Sequence, residues 1–237
     1  MPNMEVFVTS TKRSVSYLCT TLLSIHGIFN GEYMSVVYTT PLAASQVDNC
    51  THDTARAFTH IIENNHRHVL DTIHTVFTHH KHNKDLLVFE DDIVLHDDFR
   101  HIFNSLVVEA NQRDSKYILS LYDGVVVTNL SWCARNPKCT NDVDQYAREH
   151  TFTGGYGLSM WVFGSQAMYF KNKVCTPLLQ SMKNRRESPL LTDRYIMSLA
   201  NFNDIKTYGV NRSLVQHIGA VSTYFTDRYH TSFTFKP

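Results

Sequence analysis

Apolar and polar positions follow one another along this chain in blocks that read as strand, helix, strand. Glu5-Val6-Phe7-Val8-Thr9 predicts a short buried strand, ended by the polar run Ser10 to Ser14. Val15, Leu18, Leu22 and Ile25 then recur at helical spacing, with Ser14 as N-cap and Gly27 near the end. Tyr33 to Thr39 predicts a second strand, stopped by Pro41, and Asp53 to Phe77 predicts one long helical region. In that region Val69, Ile73, Val76 and Phe77 form a single apolar stripe. Leu86-Leu87-Val88-Phe89 is apolar without interruption, as a strand covered on both faces should be. The helix after it has Asp97 or Asp98 near its start and Phe99, Ile102, Phe103, Leu106 and Val107 along its inner face.

Tyr117 to Tyr122 and Gly124 to Thr128 predict further strands, whereas Asn129 to Met160 is irregular and rich in Gly, Asn and Asp. Regularity returns with a strand near Gln166 to Phe170, a helix near Pro177 to Asn184 and another from Thr192 to Phe202. Lys206 to Val210 predicts a last strand before Ser213-Leu214-Val215-Gln216-His217. Strands alternating with helices in the first half imply an α/β fold: a mostly parallel central sheet with helices on both faces. Ligands of such sheets bind beyond the carboxyl ends of the strands, which puts Thr9 to Arg13 and Glu90 to Asp92 on one rim.

Composition narrows the picture. The chain has 237 residues, 43% hydrophobic and 19% charged, which suits one folded domain. Its 22 basic and 22 acidic residues cancel, so nothing points to nucleic acid or to an anionic membrane surface. An anionic ligand must be met by a local cluster or a metal. No apolar run reaches the roughly 18 to 20 residues that span a bilayer, and Met1-Pro2-Asn3-Met4 lacks a signal peptide's apolar stretch. Five cysteines without CxxC spacing argue against a zinc framework or a dense disulfide scaffold, though Cys133 and Cys139 bracket a short loop and can pair under oxidising conditions. Sequons stand at Asn49, Asn129 and Asn211. The histidines at 74, 79, 80 and 82 read as a helix end at the surface, because the adjacent His79 and His80 point to different faces.

The strongest chemical signal is Glu90-Asp91-Asp92 directly after an apolar strand. Adjacent carboxylates repel one another and suit strands poorly. A hard divalent cation that bridges to a diphosphate accounts for them; so does a solvated turn that caps the helix after His96.

The stretch Leu87-Val88-Phe89-Glu90-Asp91-Asp92-Ile93 resembles the strand-terminal acidic motif of GT-A glycosyltransferases, written DxD or EDD. The resemblance implies manganese or magnesium on Asp92, with Glu90 and Asp91 facing the donor's ribose or sugar. Ser213-Leu214-Val215-Gln216-His217-Ile218-Gly219, followed by Val221-Ser222-Thr223, is similar to the closing segment of N-acetylglucosaminyltransferase IV-like enzymes. That likeness makes His217 the second protein ligand to the metal, against the plain alternative of a histidine packed on the core. Gly164-Ser165-Gln166-Ala167-Met168-Tyr169-Phe170 resembles the turn and strand that floor the acceptor side of these families. Leu191-Thr192-Asp193-Arg194-Tyr195-Ile196 resembles their segment with an acid at a helix start, which implies Asp193 as general base. An acid that merely favours the helix dipole is the competing account. Thr9, Ser10, Lys12 and Arg13 fall where the family contacts nucleotide base and phosphates.

The resemblance thus implies a single GT-A, Rossmann-like domain over residues 1–237. Residues 1–128 form its nucleotide-sugar half, and 129–237 its acceptor half with the C-terminal metal-ligand segment. The implied reaction moves a sugar, with inversion, from a nucleotide diphosphate-sugar (a UDP-sugar above all) to a hydroxyl of a glycan acceptor, with Mn2+ or Mg2+ as cofactor. Hexose, N-acetylglucosamine and pentose all stay open as the sugar. Relatives of this kind usually carry an N-terminal membrane anchor. Its absence from the sequence leads us to expect a soluble cytoplasmic protein, or a Golgi-lumenal portion from which the anchor was removed. Two rival readings use the same residues: a metal-dependent phosphoesterase, and a catalytically idle sugar-binding module.

Overall fold

The computed structural model describes residues 4–10, 17–29, 34–38, 58–63, 69–122, 125–128, 158–159, 164–184, 192–219 and 228–231. Strand β1 (Met4–Ser10) lies at the centre of the first half, parallel to β2 (Met34–Tyr38) on one side and to β4 (Asp85–Glu90) on the other. Strand β3 (Phe58–Glu63) adds to β2, also in parallel. Beyond β4 comes β9 (Ala167–Phe170), inserted antiparallel between β4 and β6 (Tyr117–Ser120). β10 (Lys206–Val210) then runs parallel to β6, and the short β8 (Leu158–Ser159) closes the eight-stranded sheet in the order β3-β2-β1-β4-β9-β6-β10-β8.

Alternation along the strands sends side chains into two cores. Val6, Val8, Leu87, Phe89, Leu119 and Tyr169 face one side, where α1 (Leu18–Phe29) and α3 (Phe99–Arg113) pack. Phe7, Leu86, Val88, Ile118, Met168 and Phe170 face the other, under α2 (Val69–His79), α4 (Asn172–Asn184) and α5 (Thr192–Phe202). The first core is aromatic at its centre: Phe89 lies 5.9 Å from Phe99 edge-on, and Phe99 stacks on Phe103 at 5.5 Å. Each fully buried phenylalanine contributes about 1.5–3 kcal/mol relative to exposure. The α/β architecture with helices on both faces is therefore as expected, with β9 and β8 as the antiparallel exceptions.

Several elements differ from the expectation: α1 starts at Leu18 rather than just after Ser14, and the short β8 falls at the end of the stretch expected to be irregular. In the region expected as one long helix, Asp53 to Phe77, the described residues form strand β3 and then α2. The apolar stripe falls within α2, where Ile73, Val76 and Phe77 are buried, and Phe58 to Glu63 pairs with β2 because an unpaired sheet edge is there to receive it. Likewise α4 starts at Asn172 rather than at Pro177, which sits inside it. Asp85, at the start of β4, explains the early start: its carboxylate accepts from the Asn172 amide at 2.9 Å, from Tyr169 Oη at 2.6 Å and from Lys171 Nζ at 3.1 Å. Burial, more than these bonds, pushes the Tyr169 phenol far up from its ordinary pKa.

The histidine stretch is also less uniform than its sequence suggests. His79 and His82 are exposed, but His80 is buried, with Nδ1 at 3.0 Å from Glu5 Oε2 and Nε2 at 2.9 Å from the Lys84 carbonyl oxygen. Cys19 is disulfide-bonded and Cys175 is a buried free thiol; Cys133 and Cys139 lie outside the described residues. Among the described residues no helix is long and apolar enough to cross a membrane.

Candidate functional site

The carboxyl ends of β1, β4 and β6 and the beginning of the antiparallel β9 share one rim, since Phe89 stands opposite Ala167 and Thr9 opposite Glu90. On this rim the three consecutive acids separate. Glu90 ends β4 and accepts a 2.7 Å hydrogen bond on Oε1 from Ser165 Oγ, while its amide donates to the Gln166 carbonyl at 2.9 Å. Asp91 turns to β1 and accepts from Ser10 Oγ at 2.7 Å, both residues being buried. Asp92 turns the third way, to His217, whose Nε2 lies 2.9 Å from its Oδ2. Each acid thus has its own partner on a separate segment, and this division relieves the repulsion that the sequence raises.

The approach of His217 is built by strand pairing. β5 (Ile93–Leu95) continues past the acids and pairs antiparallel with β11 (Val215–His217), so His217 faces Ile93 in register. The Ile218 amide extends this ladder to the Asp92 carbonyl at 2.7 Å. Helix α1 pins β5 from the other side: Thr21 Oγ1 donates to the Ile93 carbonyl at 2.8 Å and accepts from its amide at 3.0 Å. Ser24 Oγ accepts from the Leu95 amide at 2.8 Å. The backbone at Ser213-Leu214 is tied to β6 as well, the Leu214 amide donating to the Leu121 carbonyl at 2.9 Å.

Gly219 completes this corner. A Cβ there would stand 2.3 Å from Asp92 Oδ2 and 3.0 Å from His217 Nε2, so only glycine lets the backbone come this close to the pair. Gly219→Ala is expected to push the two side chains apart at about 1–3 kcal/mol of overpacking. Its checkable result is a folded protein with a melting temperature below that of the wild type.

Asp193 reaches the same rim from α5. It lies in that helix's first turn, half-buried, and its Oδ2 accepts from the Gly164 amide at 3.3 Å while Oδ1 accepts from the Arg194 amide at 2.8 Å. Gly164 and Ser165 are adjacent, so one turn touches both Asp193 and Glu90. Of the remaining sequence candidates, Thr9 donates from Oγ1 to the Phe89 carbonyl at 3.2 Å, bridging β1 to β4. Lys12 and Arg13 lie outside the described residues. Sequence reading placed Gly164 and Ser165 on the acceptor floor without seeing their bonds to the acids, and it assigned no role to Gly219 or Thr21. Only the residue pair Gly-Ser before a strand, and a glycine two residues past His217, hinted at them.

A divalent metal suits the Asp92–His217 corner by the chemistry of its donors. A carboxylate oxygen and an imidazole Nε2 converge there, a pairing manganese accepts, and Gly219 leaves the adjoining space without a side chain. Among the described residues no group of three or more His, Cys, Asp or Glu side chains can hold an ion unaided. Asp92 and His217 are the two ligands this corner would offer such an ion.

No protein-family model matches this chain, and no curated protein matches it in sequence. Solved structures do. A candidate glucose-1-phosphate thymidylyltransferase from Bacillus anthracis superposes with a TM-score of 0.51 at 10% identity, over 91% of this chain and 90% of that one. A 4-diphosphocytidyl-2C-methyl-D-erythritol synthase from Anaerococcus prevotii gives 0.50 at 13% identity, over 88% of each chain. The chain shares its α/β, Rossmann-like fold with these two structures. A mannosyltransferase from Pyrobaculum calidifontis, solved with GDP-mannose and Mn2+, aligns more loosely, with a TM-score of 0.48 at 14% identity over 87% of this chain and 54% of that one. At such identities the likeness extends to the fold and no further.

Proposed function

We propose that this chain is a metal-dependent glycosyltransferase that moves a sugar from a nucleotide diphosphate-sugar, preferentially a UDP-sugar, to a hydroxyl of a glycan acceptor with inversion. The observation that carries the reading is the convergence of Asp92 and His217 at 2.9 Å on the strand-end rim, with Asp193 tied to that rim through Gly164. A carboxylate and an imidazole brought together across 125 residues beside two further acids make a corner suited to a cation and a diphosphate.

Within this reading each residue has a distinct task. Asp92 and His217 would hold Mn2+ or Mg2+, which supplies positive charge against the negative charge growing on the departing diphosphate. Glu90 and Asp91 meet hydroxyls of the donor's ribose or sugar, Thr9 and Ser10 line the nucleotide end, and Lys12 and Arg13 are the cations the sequence offers against the pyrophosphate. Asp193 takes the proton from the acceptor hydroxyl as it attacks the anomeric carbon from the face opposite the leaving group. Residues 1–128 then serve the donor and 129–237 the acceptor.

A thermal-shift screen of UDP- and GDP-sugars with manganese, magnesium or EDTA tests this. Stabilisation by one nucleotide class that EDTA removes is the expected outcome. Formation of a nucleotide sugar and pyrophosphate from a nucleoside triphosphate and a sugar 1-phosphate would instead make the chain a nucleotidyltransferase. Sustained hydrolysis of phosphodiesters without an acceptor would make it a phosphoesterase. Binding of sugars without turnover would leave a binding module.

A further inference from the structure

The turn Gly164-Ser165-Gln166 touches both acids that flank the proposed reaction. Its first amide donates to Asp193 Oδ2 at 3.3 Å, its hydroxyl to Glu90 Oε1 at 2.7 Å, and its last carbonyl accepts from the Glu90 amide at 2.9 Å. The turn is stiff for local reasons. Gly164 has φ of 76°, a region that strains any L side chain, and a Cβ there would stand 2.1 Å from Gln166 Oε1 and 3.0 Å from Tyr122 Cδ1. Ser120 Oγ, at the end of β6, approaches the Gly164 carbonyl at 3.4 Å, and Gln166 is buried just before β9 begins.

Glu90 has three rotatable bonds and is half-buried, so it needs a fixed donor to present its carboxylate in one orientation. A hydroxyl on a stiff turn supplies that donor before any ligand arrives, and ordering done in advance is not charged against binding. Resting on the reading above, we infer that Ser165 is a positioning residue. It holds Glu90 where the carboxylate meets a hydroxyl of the donor's transferred sugar, the part that UDP lacks, and its turn sets the span between donor-facing Glu90 and acceptor-facing Asp193.

The test compares wild type, Ser165→Ala and Ser165→Thr, with UDP-glucose, UDP-N-acetylglucosamine and UDP-xylose offered in turn with manganese. Affinity for UDP alone is measured beside turnover. Ser165→Ala should raise the donor KM about tenfold and change kcat less than threefold, with UDP affinity unchanged. Ser165→Thr, which keeps the hydroxyl, should restore most of the loss. An active wild type with an unaltered Ser165→Ala overturns the positioning role alone. Equal losses for UDP and nucleotide sugar, or no rescue by threonine, overturn it too, because the turn would then only support the rim. No turnover of any nucleotide sugar by the folded wild type removes both the inference and the function it rests on.

Discussion

Replacing Asp92 with alanine is expected to lower kcat/KM for the nucleotide sugar by about a thousandfold, roughly 4 kcal/mol of lost transition-state stabilisation. Asp92 is wholly buried and its carboxylate meets His217 Nε2 at 2.9 Å; on the proposed function, its removal would take away one of the two protein ligands of the cation. His217→Ala should cost a comparable factor. The double variant should be little worse than the poorer single one, because ligands of one ion act as a unit. The nearby acids cannot substitute: Asp91 is committed to Ser10 and Glu90 to Ser165, each on a different segment. Steady-state kinetics with manganese, alongside urea unfolding to confirm a native fold, decide the matter. Full activity in Asp92→Ala would sink the metal corner as the seat of catalysis.

The second large effect is expected at Asp193. Under the proposed function, Asp193→Asn should lower kcat by about 10²–10⁴ and leave manganese-dependent binding of the donor intact, because a base in that role would act on the acceptor and not on the diphosphate. Its place supports this separation. Asp193 opens α5 and, among the described residues, meets the rim through the Gly164 amide, whereas the Asp92–His217 corner is built from the β4–β5 turn and β11. Calorimetry of donor binding and single-turnover transfer measure the two halves independently. Product NMR adds the stereochemical check, since a base on the acceptor side predicts an anomeric configuration opposite to that of the donor. A variant that loses donor affinity and turnover together would mean that Asp193 shapes the donor site instead.

Much of the fold was legible because burial writes itself locally. The uninterrupted Leu86 to Phe89 run became β4, buried on both faces, and the helical spacing from Phe99 to Val107 became the inner face of α3. Thr192 to Phe202 and Lys206 to Val210 became α5 and β10 with the expected bounds. Strand β3 was not legible, because its partner is a sheet edge that periodicity does not reveal. Nor was the placement of β9: a strand was expected at Gln166 to Phe170, but only its antiparallel insertion beside β4 brings Gly164 and Ser165 to the acids.

The site was legible to a different degree. The acidic triplet announced itself, whereas bonds such as Ser10 to Asp91 and His217 to Asp92 join residues 81 and 125 positions apart. No local pattern encodes such contacts. For His217 the similarity of the segment around it singled the residue out, and the β5–β11 pairing is what brings it to Asp92. Ser165 went unassigned because a lone serine in a turn carries no periodic or compositional mark.

The most direct test of the central claim is release of UDP from UDP-sugars by the purified protein, followed with manganese and again with EDTA. The account predicts steady UDP release that requires manganese, stops in EDTA and rises when a glycan acceptor is added. A folded protein that releases no UDP from any of these donors, or releases it equally well in EDTA, would contradict it.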